Sequence, residues 1–563
     1  MTEHETGDAA WGETTTPPIA FASGPWRLEL RDDELADVSY DGRIVLRSIR
    51  GVARDQDWGT LPPVVTGVSS LHNSLRVDVA LGDLSAQLTV EALGDELDVR
   101  WTCHVHTAFL RNRLGLVALH PPTLAGEALE ITHPEGDTEA SAFPVEISAH
   151  QPAFDISALG WDHDGLAVHL EFTGDVFEME DQRNWTDASF KTYSTPLELP
   201  FPVEVAAGSV VEQGIRISAR SLRPAITAPA DDRIELVDAG RAVPSIGTSA
   251  STGSTTGRPT ADFLLVELPV STPVWPEVLD RAVAEAGELP LDVRIVGASA
   301  DRIGDVIDAI APLNVIRVGV FSADTHVSEP ELWHALGDGL ASRGLGIITV
   351  GGTRAHFTEL NRTLHRLPGD IAEHTFSVTP EMHATGREQL VESIAMQRLV
   401  AENAVRLTEG PVHVGPVTLR ARFNAVATTP TPDALVTDLS AGYGAAVNPD
   451  ATDPRHSAPA ILAWTVASAA ALSVDGVASI TWFEASGPRS ASLDWLTTLA
   501  GAPLLEALDA PAGLWAIGAR SGDTATVLVA NLRPVAATVT VAALGAEQLV
   551  ELEPYAAARI ALG

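Results

Sequence analysis

Three residues in the chain stand where acid–base chemistry could be done: Glu359, His383 and Glu484. Glu484 closes the apolar run Ile480-Thr481-Trp482-Phe483, where a carboxylate has no packing purpose unless Arg422 or Arg489 pairs with it. Glu359 lies in Phe357-Thr358-Glu359-Leu360-Asn361-Arg362, at the expected start of a helix, where the dipole alone favours an acid. His383 ends Pro380-Glu381-Met382-His383, between a strand and a helix, where a histidine can also serve as a cap. Two carboxylates from different strand ends suit work on a sugar: one is kept protonated by burial and donates, while the other is ionised and attacks or activates water. A histidine near neutrality can replace the base. Asn361, Arg362, Arg422 and Asn424 are expected to bind substrate around these groups.

A second constellation lies far upstream, from Glu178 to Lys191. It places Glu178, Glu180, Asp181, Arg183, Asp187 and Lys191 among Trp185 and Phe190. A solvated face would not need the aromatics, and a core would not accept the charges. The mix fits a sugar-binding surface, with Glu180, Asp181, Arg183, Trp185 and Lys191 as ligand contacts; the alternative is a buried ion-pair network. Lys191 is also the single lysine among 36 basic residues, set against 75 acidic ones.

These residues need elements to hold them. Up to about residue 225 the chain alternates with period two, as in Leu97, Val99, Trp101, Cys103 and Val105 against Asp98, Arg100, Thr102 and His104. That pattern predicts an antiparallel β-sandwich over 18–225, after a disordered tail at 1–17. From about 262, apolar strands alternate with helical periods, which predicts a (β/α)8 TIM barrel over 226–505, with a Ser/Thr/Gly loop at 248–257. Seven barrel strands are evident, and 434–440 is the candidate eighth. A small C-terminal β-sandwich is expected over 506–563. In such a barrel the strand C-termini carry the active site, and Glu359, His383, Arg422 and Glu484 all follow strands.

The net charge of −39 argues against nucleic acid and anionic membrane partners. One cysteine, Cys103, excludes a disulfide framework within the chain. His104 and His106 have metal-like spacing but lack an evident third ligand, so no metal or cofactor is expected. Asp453-Pro454-Arg455 reads as a helix cap or as part of the barrel mouth. The start has no basic and apolar leader, and no apolar run is long enough to cross a membrane, so a cytoplasmic location is expected. The expected partner is a small carbohydrate or lactone; homo-oligomerisation stays open.

Several stretches resemble the D-apionate lactonase family: Phe177 to Tyr193, Phe357 to Arg362, Pro380 to Ala384, Pro416 to Arg420 and Ile480 to Glu484. The resemblance runs over nearly the whole chain. It implies an N-terminal β domain, a TIM barrel and a C-terminal β domain. It also implies hydrolysis of a five-membered aldonolactone, that of the branched pentose apiose, in cytoplasmic catabolism. The residue roles above rest on position and chemistry. Two other functions fit the same residues: a barrel glycoside hydrolase using Glu359 and Glu484, and a non-catalytic carbohydrate-binding protein.

Overall fold

The computed structural model describes residues 2–224, 232–254, 258–425, 436–448, 451–484 and 490–563. Its N-terminal part contains two nine-stranded antiparallel sheets. The alternation of Glu96–Val105 becomes a strand with every second residue buried. Leu46, Ile49 and Leu116 of one sheet share an apolar core with Val99, Trp101 and Ile217 of the other. The sheets approach closely at Gly51, where a Cβ would run into the Trp101 indole. In the first sheet, Phe177–Asp181 pairs with Phe190–Tyr193, which pairs with Phe109–His120. Glu180 stands opposite Lys191 in that register.

The expected disordered tail is instead ordered. Helix α1 (Glu3–Trp11) is capped by Thr2 and stopped by Gly12 in the left-handed conformation. Trp11 is fully buried and meets Tyr555 edge-on at 6.0 Å. Asp8 pairs with Arg387 at 2.8 Å and Glu13 with Arg455 at 2.8 Å, so distant charges hold a segment with almost no apolar stripe.

The middle of the chain supplies parallel strands β1 (Ser245–Ser249), β2 (Phe263–Pro269), β3 (Leu291–Val296), β4 (Val315–Phe321), β5 (Ile348–Thr349 continuing as Gly351–His356), β6 (His374–Val378), β7 (Val412–Val417) and β8 (Val477–Glu484). Each strand pairs with its sequence neighbour, β1 also pairs with β8, and β5 meets β4 with its first segment and β6 with its second. The strand path therefore returns on itself. Helices α2 (Trp275–Ala286), α3 (Ile303–Ile310), α4 (Pro330–Ser342), α5 (Phe357–Thr363), α6 (Arg387–Thr408), α7 (Ile461–Leu472) and α8 (Ser490–Thr497) follow the strands from β2 onward. The eighth strand is β1, not 434–440: residues 436–440 are not strand, and 434–435 lie outside the described residues. β1 overlaps the expected 248–257 loop, of which 255–257 also lie outside the described residues.

Val293, Ile295, Val318 and Val320 pack outward with α2, α3 and α4. The alternate positions turn inward and are ionic. Asp292 is held by Arg294 at 2.7 Å and by Arg317 at 2.9 Å, all three nearly or fully buried. His413 meets Ser479 at 2.7 Å nearby. The barrel centre is thus packed with hydrogen-bonded charge where branched aliphatic layers are the norm.

The C-terminal part is one seven-stranded sheet, not two. Arg233–Ala242, which precedes the barrel, lies in its middle, between Ala537–Ala543 and Pro503–Ala507. The expected boundaries at 226 and 505 therefore shift, because 233–242 and 503–507 belong to this sheet. Ile517, Ala519, Leu528 and Ala530 join the apolar cluster that contains Trp464 of α7.

Candidate active site

The C-terminal strand ends gather two polar groups. The first centres on Glu267, near the end of β2. Arg354 of β5 donates to it at 2.7 and 3.2 Å, and Arg422, in the loop after β7, pairs with it at 2.7 Å. Burial opposes ionisation of Glu267, but the two guanidiniums win and hold its carboxyl well below the usual range. Arg422 also donates to the Arg354 carbonyl at 2.8 Å and to Ser377 at 3.1 Å. Phe423 floors the cluster: the Arg354 guanidinium lies 4.1 Å from its ring centre, and the His326 ring lies at 4.5 Å. Glu484, at the end of β8, accepts from the Thr252 hydroxyl at 2.5 Å and the Thr252 amide at 3.2 Å. It faces Arg422 and Tyr443 electrostatically, so the expected Arg422 partnership is one of charge, the direct ion pair going to Glu267. Arg489 lies outside the described residues.

The second group joins the N-terminal sheets to the barrel. Glu180 and Lys191 form an ion pair whose side chains are 12% and 13% exposed. Arg362 of α5 approaches Glu180 at 3.7 Å, donates to the Ala149 carbonyl at 2.8 Å and lies 5.0 Å from the Trp185 ring centre. Burial alone would raise the Glu180 carboxyl, yet Lys191, His383 and Arg362 bring it down to about 2. His383, in the loop after β6, meets the Trp185 ring edge-on at 5.2 Å. Its Nδ1 lies 2.8 Å from Asp187 Oδ2, while Gln389 donates to the other Asp187 oxygen at 2.9 Å. With Nδ1–H donating to the carboxylate, Nε2 is left as the free ring nitrogen among the described residues. Burial, reinforced by Lys191 and Arg54, lowers the His383 pKa despite Asp187, so the ring is neutral at neutral pH.

Glu359 stands beside the second group. It occupies the first turn of α5, accepts from the His356 amide at 2.9 Å and faces Arg362. Burial pushes its carboxyl up to about 7, against the pull of those contacts. The helix-start position and a raised carboxyl coexist here.

Other expected ligand contacts turn out differently. Arg183 is 1% exposed and donates to Asp181 at 2.7 and 2.8 Å and to the carbonyls of Pro144, Val145 and Glu146. Asp181 is 1% exposed as well. This pair is an internal lock and leaves the set of substrate contacts. Asn361 donates to the Ile147 carbonyl and to Asn184, so its amide fastens the two domains. Asn424 is exposed on the loop after β7. Asp453 caps the turn at Pro454–Ser457 and joins Arg455, Arg420 and Glu381 in a buried network that reaches Glu13. Within it, burial pushes Glu381 up to about 8.

Four residues of these groups were given no site role from the sequence: Glu267, Arg354, Asp187 and His356. Asp187 was visible as a charge inside the 178–191 stretch, and His356 as the last residue before the Phe357 helix. Among the described residues, no group of three or more His, Cys, Asp or Glu is placed to hold a metal ion, and no helix is long and apolar enough to cross a membrane.

Fold and contacts together describe a parallel-barrel protein with titratable groups at its C-terminal strand ends, which the preceding domain reaches through Glu180 and Asp187. The D-apionate lactonase N-terminal domain matches residues 7–222, and the D-apionate lactonase TIM barrel domain matches residues 263–510. The chain belongs to the D-apionate lactonase family. It is 26% identical to the D-apionate lactonase of Brucella anthropi over 526 residues, covering 84% of each protein. Among solved structures, a beta-arabinopyranosidase aligns over 96% of this chain and 98% of its own, at 12% identity and a TM-score of 0.30. An endoxylanase from Clostridium papyrosolvens aligns over 59% of this chain and all of its own, at 7% identity and a TM-score of 0.38.

Proposed function

We propose that this protein is a sugar-lactone hydrolase that opens an aldonolactone, D-apionolactone or a close relative, to the aldonate. The observation that carries this reading is the Asp187-oriented His383 after β6 together with the raised Glu359 at the start of α5, in a chain of the D-apionate lactonase family.

The two titratable groups are pushed in opposite directions, which divides their roles. His383, neutral and oriented by Asp187, takes a proton from water through Nε2 while the water oxygen attacks the lactone carbonyl carbon. The carbonyl oxygen becomes an oxyanion facing Arg362 and Lys191; a preformed donor of this kind is worth roughly 10²–10³-fold. Collapse of the tetrahedral intermediate breaks the bond to the ring oxygen. Glu359 gives that oxygen its proton, and the proton on His383 returns to Glu359. Glu484 and Arg422 bind ring hydroxyls on the opposite rim. In the same reading, the two N-terminal sheets form one sandwich that walls the mouth of a (β/α)8 barrel, and the C-terminal sheet braces α7.

Glu359 accepts from the His356 amide at the start of α5, whereas Glu484 at the end of β8 accepts from Thr252. The test is direct. Purified protein is given D-apionolactone, other aldonolactones and aryl glycosides, with acid release followed at constant pH. Lactone opening is expected. Release of the aryl alcohol without lactone opening would overturn the proposal.

A further inference from the structure

His356 is the last residue of β5, at the C-terminal end of the strand. Its backbone amide is committed to Glu359. Its ring is not: the residue is 5% exposed, and neither Nδ1 nor Nε2 has a hydrogen-bond partner among the described residues. Buried polar atoms nearly always find partners, and one left without them costs stability. Here two such atoms sit on one ring.

The surroundings explain what the ring can be. The charged and titratable groups facing it are Arg422 from the loop after β7, His383 from the loop after β6 and His326 from the loop after β4, with Glu359 on its own helix start. Burial, aided by these cationic or ionisable neighbours, lowers its pKa to about 3. A neutral imidazole carries one N–H donor and one bare acceptor nitrogen. That is the equipment for one carbonyl and one hydroxyl, and His356 is within electrostatic reach of both Arg422 and His383.

We infer that His356 hydrogen-bonds the bound sugar lactone, one ring nitrogen donating to the carbonyl oxygen and the other accepting from a ring hydroxyl. The inference rests on the lactonase reading above and adds a catalytic residue to it. A neutral donor suits a carbonyl that becomes negative, since it polarises the oxygen without giving up its proton.

Two measurements on the full-length protein test this. First, His356→Phe keeps a flat ring and removes both nitrogens, whereas His356→Asn keeps one donor and one acceptor. For aldonolactone opening, kcat is expected to fall on the order of 10²-fold in His356→Phe, with partial recovery in His356→Asn and a Tm at or above that of the unaltered protein. A merely structural histidine would instead lower Tm and leave the kcat of the folded protein unchanged, which would overturn the inference. Second, the ring-nitrogen NMR shifts of His356 are followed while the product aldonate is added. Movement of both signals is expected, and aldonate binding without movement would overturn the inference. If the unaltered protein opens no lactone yet the aldonate moves His356, the lactonase reading fails and the binding role stands. If neither lactone nor aldonate binds, both fall.

Discussion

Neighbouring positions of the segment 177–193 have opposite fates. Asp181 and Arg183 turn into the N-terminal domain, where Arg183 bonds to Asp181 and to three backbone carbonyls. Glu180, Trp185, Asp187 and Lys191 turn toward the barrel and meet Arg362 and His383. Charge density alone does not separate the two sides; partner count does. On the lock side the guanidinium is used up by its own domain. On the barrel side the partners come from another domain, and a ring nitrogen of His383 stays free among the described residues. One short stretch therefore both stiffens a wall and equips it.

Substitutions on each side can break that contrast. The largest effect is expected from Asp187→Asn, which withdraws the acceptor orienting His383. The kcat should drop on the order of 10²–10⁴-fold with a far-ultraviolet dichroism spectrum like that of the unaltered protein. Next, Arg183→Ala leaves Asp181 buried without its counter-charge and should cost about 3–5 kcal/mol in urea unfolding. The kcat of its folded fraction should stay within about twofold if the lock is only a lock. A smaller loss belongs to Lys191→Met: roughly tenfold in kcat/KM, about 1.4 kcal/mol, with a rise in the Glu180 pKa visible by carboxyl NMR.

The smallest effect is a slope. Burial raises the Glu359 pKa to about 7 from its ordinary 4.5, so the folded protein holds that proton longer than the unfolded chain. The associated stability is fully present below about pH 4.5 and is lost as pH rises toward 7. As the proposed acid, Glu359 also makes kcat/KM decline above about pH 7. Glu359→Gln should flatten the stability slope; a mutant curve parallel to that of the unaltered protein would show that Glu359 does not titrate there.

Where the sequence was readable, a local period carried the message. Val293, Ile295, Val318 and Val320 alternate with Asp292, Arg294, Arg317 and Gly319, and both stretches became strands packed under helices. β1 was missed because Ser245-Ile-Gly-Thr-Ser carries hardly any apolar signal; its inner position Gly247 is small because the Phe263 ring and the Thr481 hydroxyl fill that space. Helix α1 was missed because ion pairs to Arg387 and Arg455 hold it, and contacts across hundreds of residues leave no local pattern. At the site, Glu359, Glu484 and His383 stood out as polar residues after apolar strands. Glu267 did not, since a carboxylate inside a strand resembles a surface position until Arg354 and Arg422 are seen on either side of it. Asp181 and Arg183 were misassigned because type and density say nothing about which way a side chain faces.

The strand Arg233–Ala242 has a consequence for how the protein is made. On the ribosome it emerges before the barrel, yet the strands that flank it, Pro503–Ala507 and Ala537–Ala543, follow only after roughly 260 and 300 further residues. For that interval both of its edges are unpaired, and such edges invite pairing with other chains. A gene cut after the barrel would make the condition permanent. Expression trials that trim the C-terminal sheet to isolate the barrel should therefore yield aggregate, whereas removing residues 233–242 together with it should relieve this.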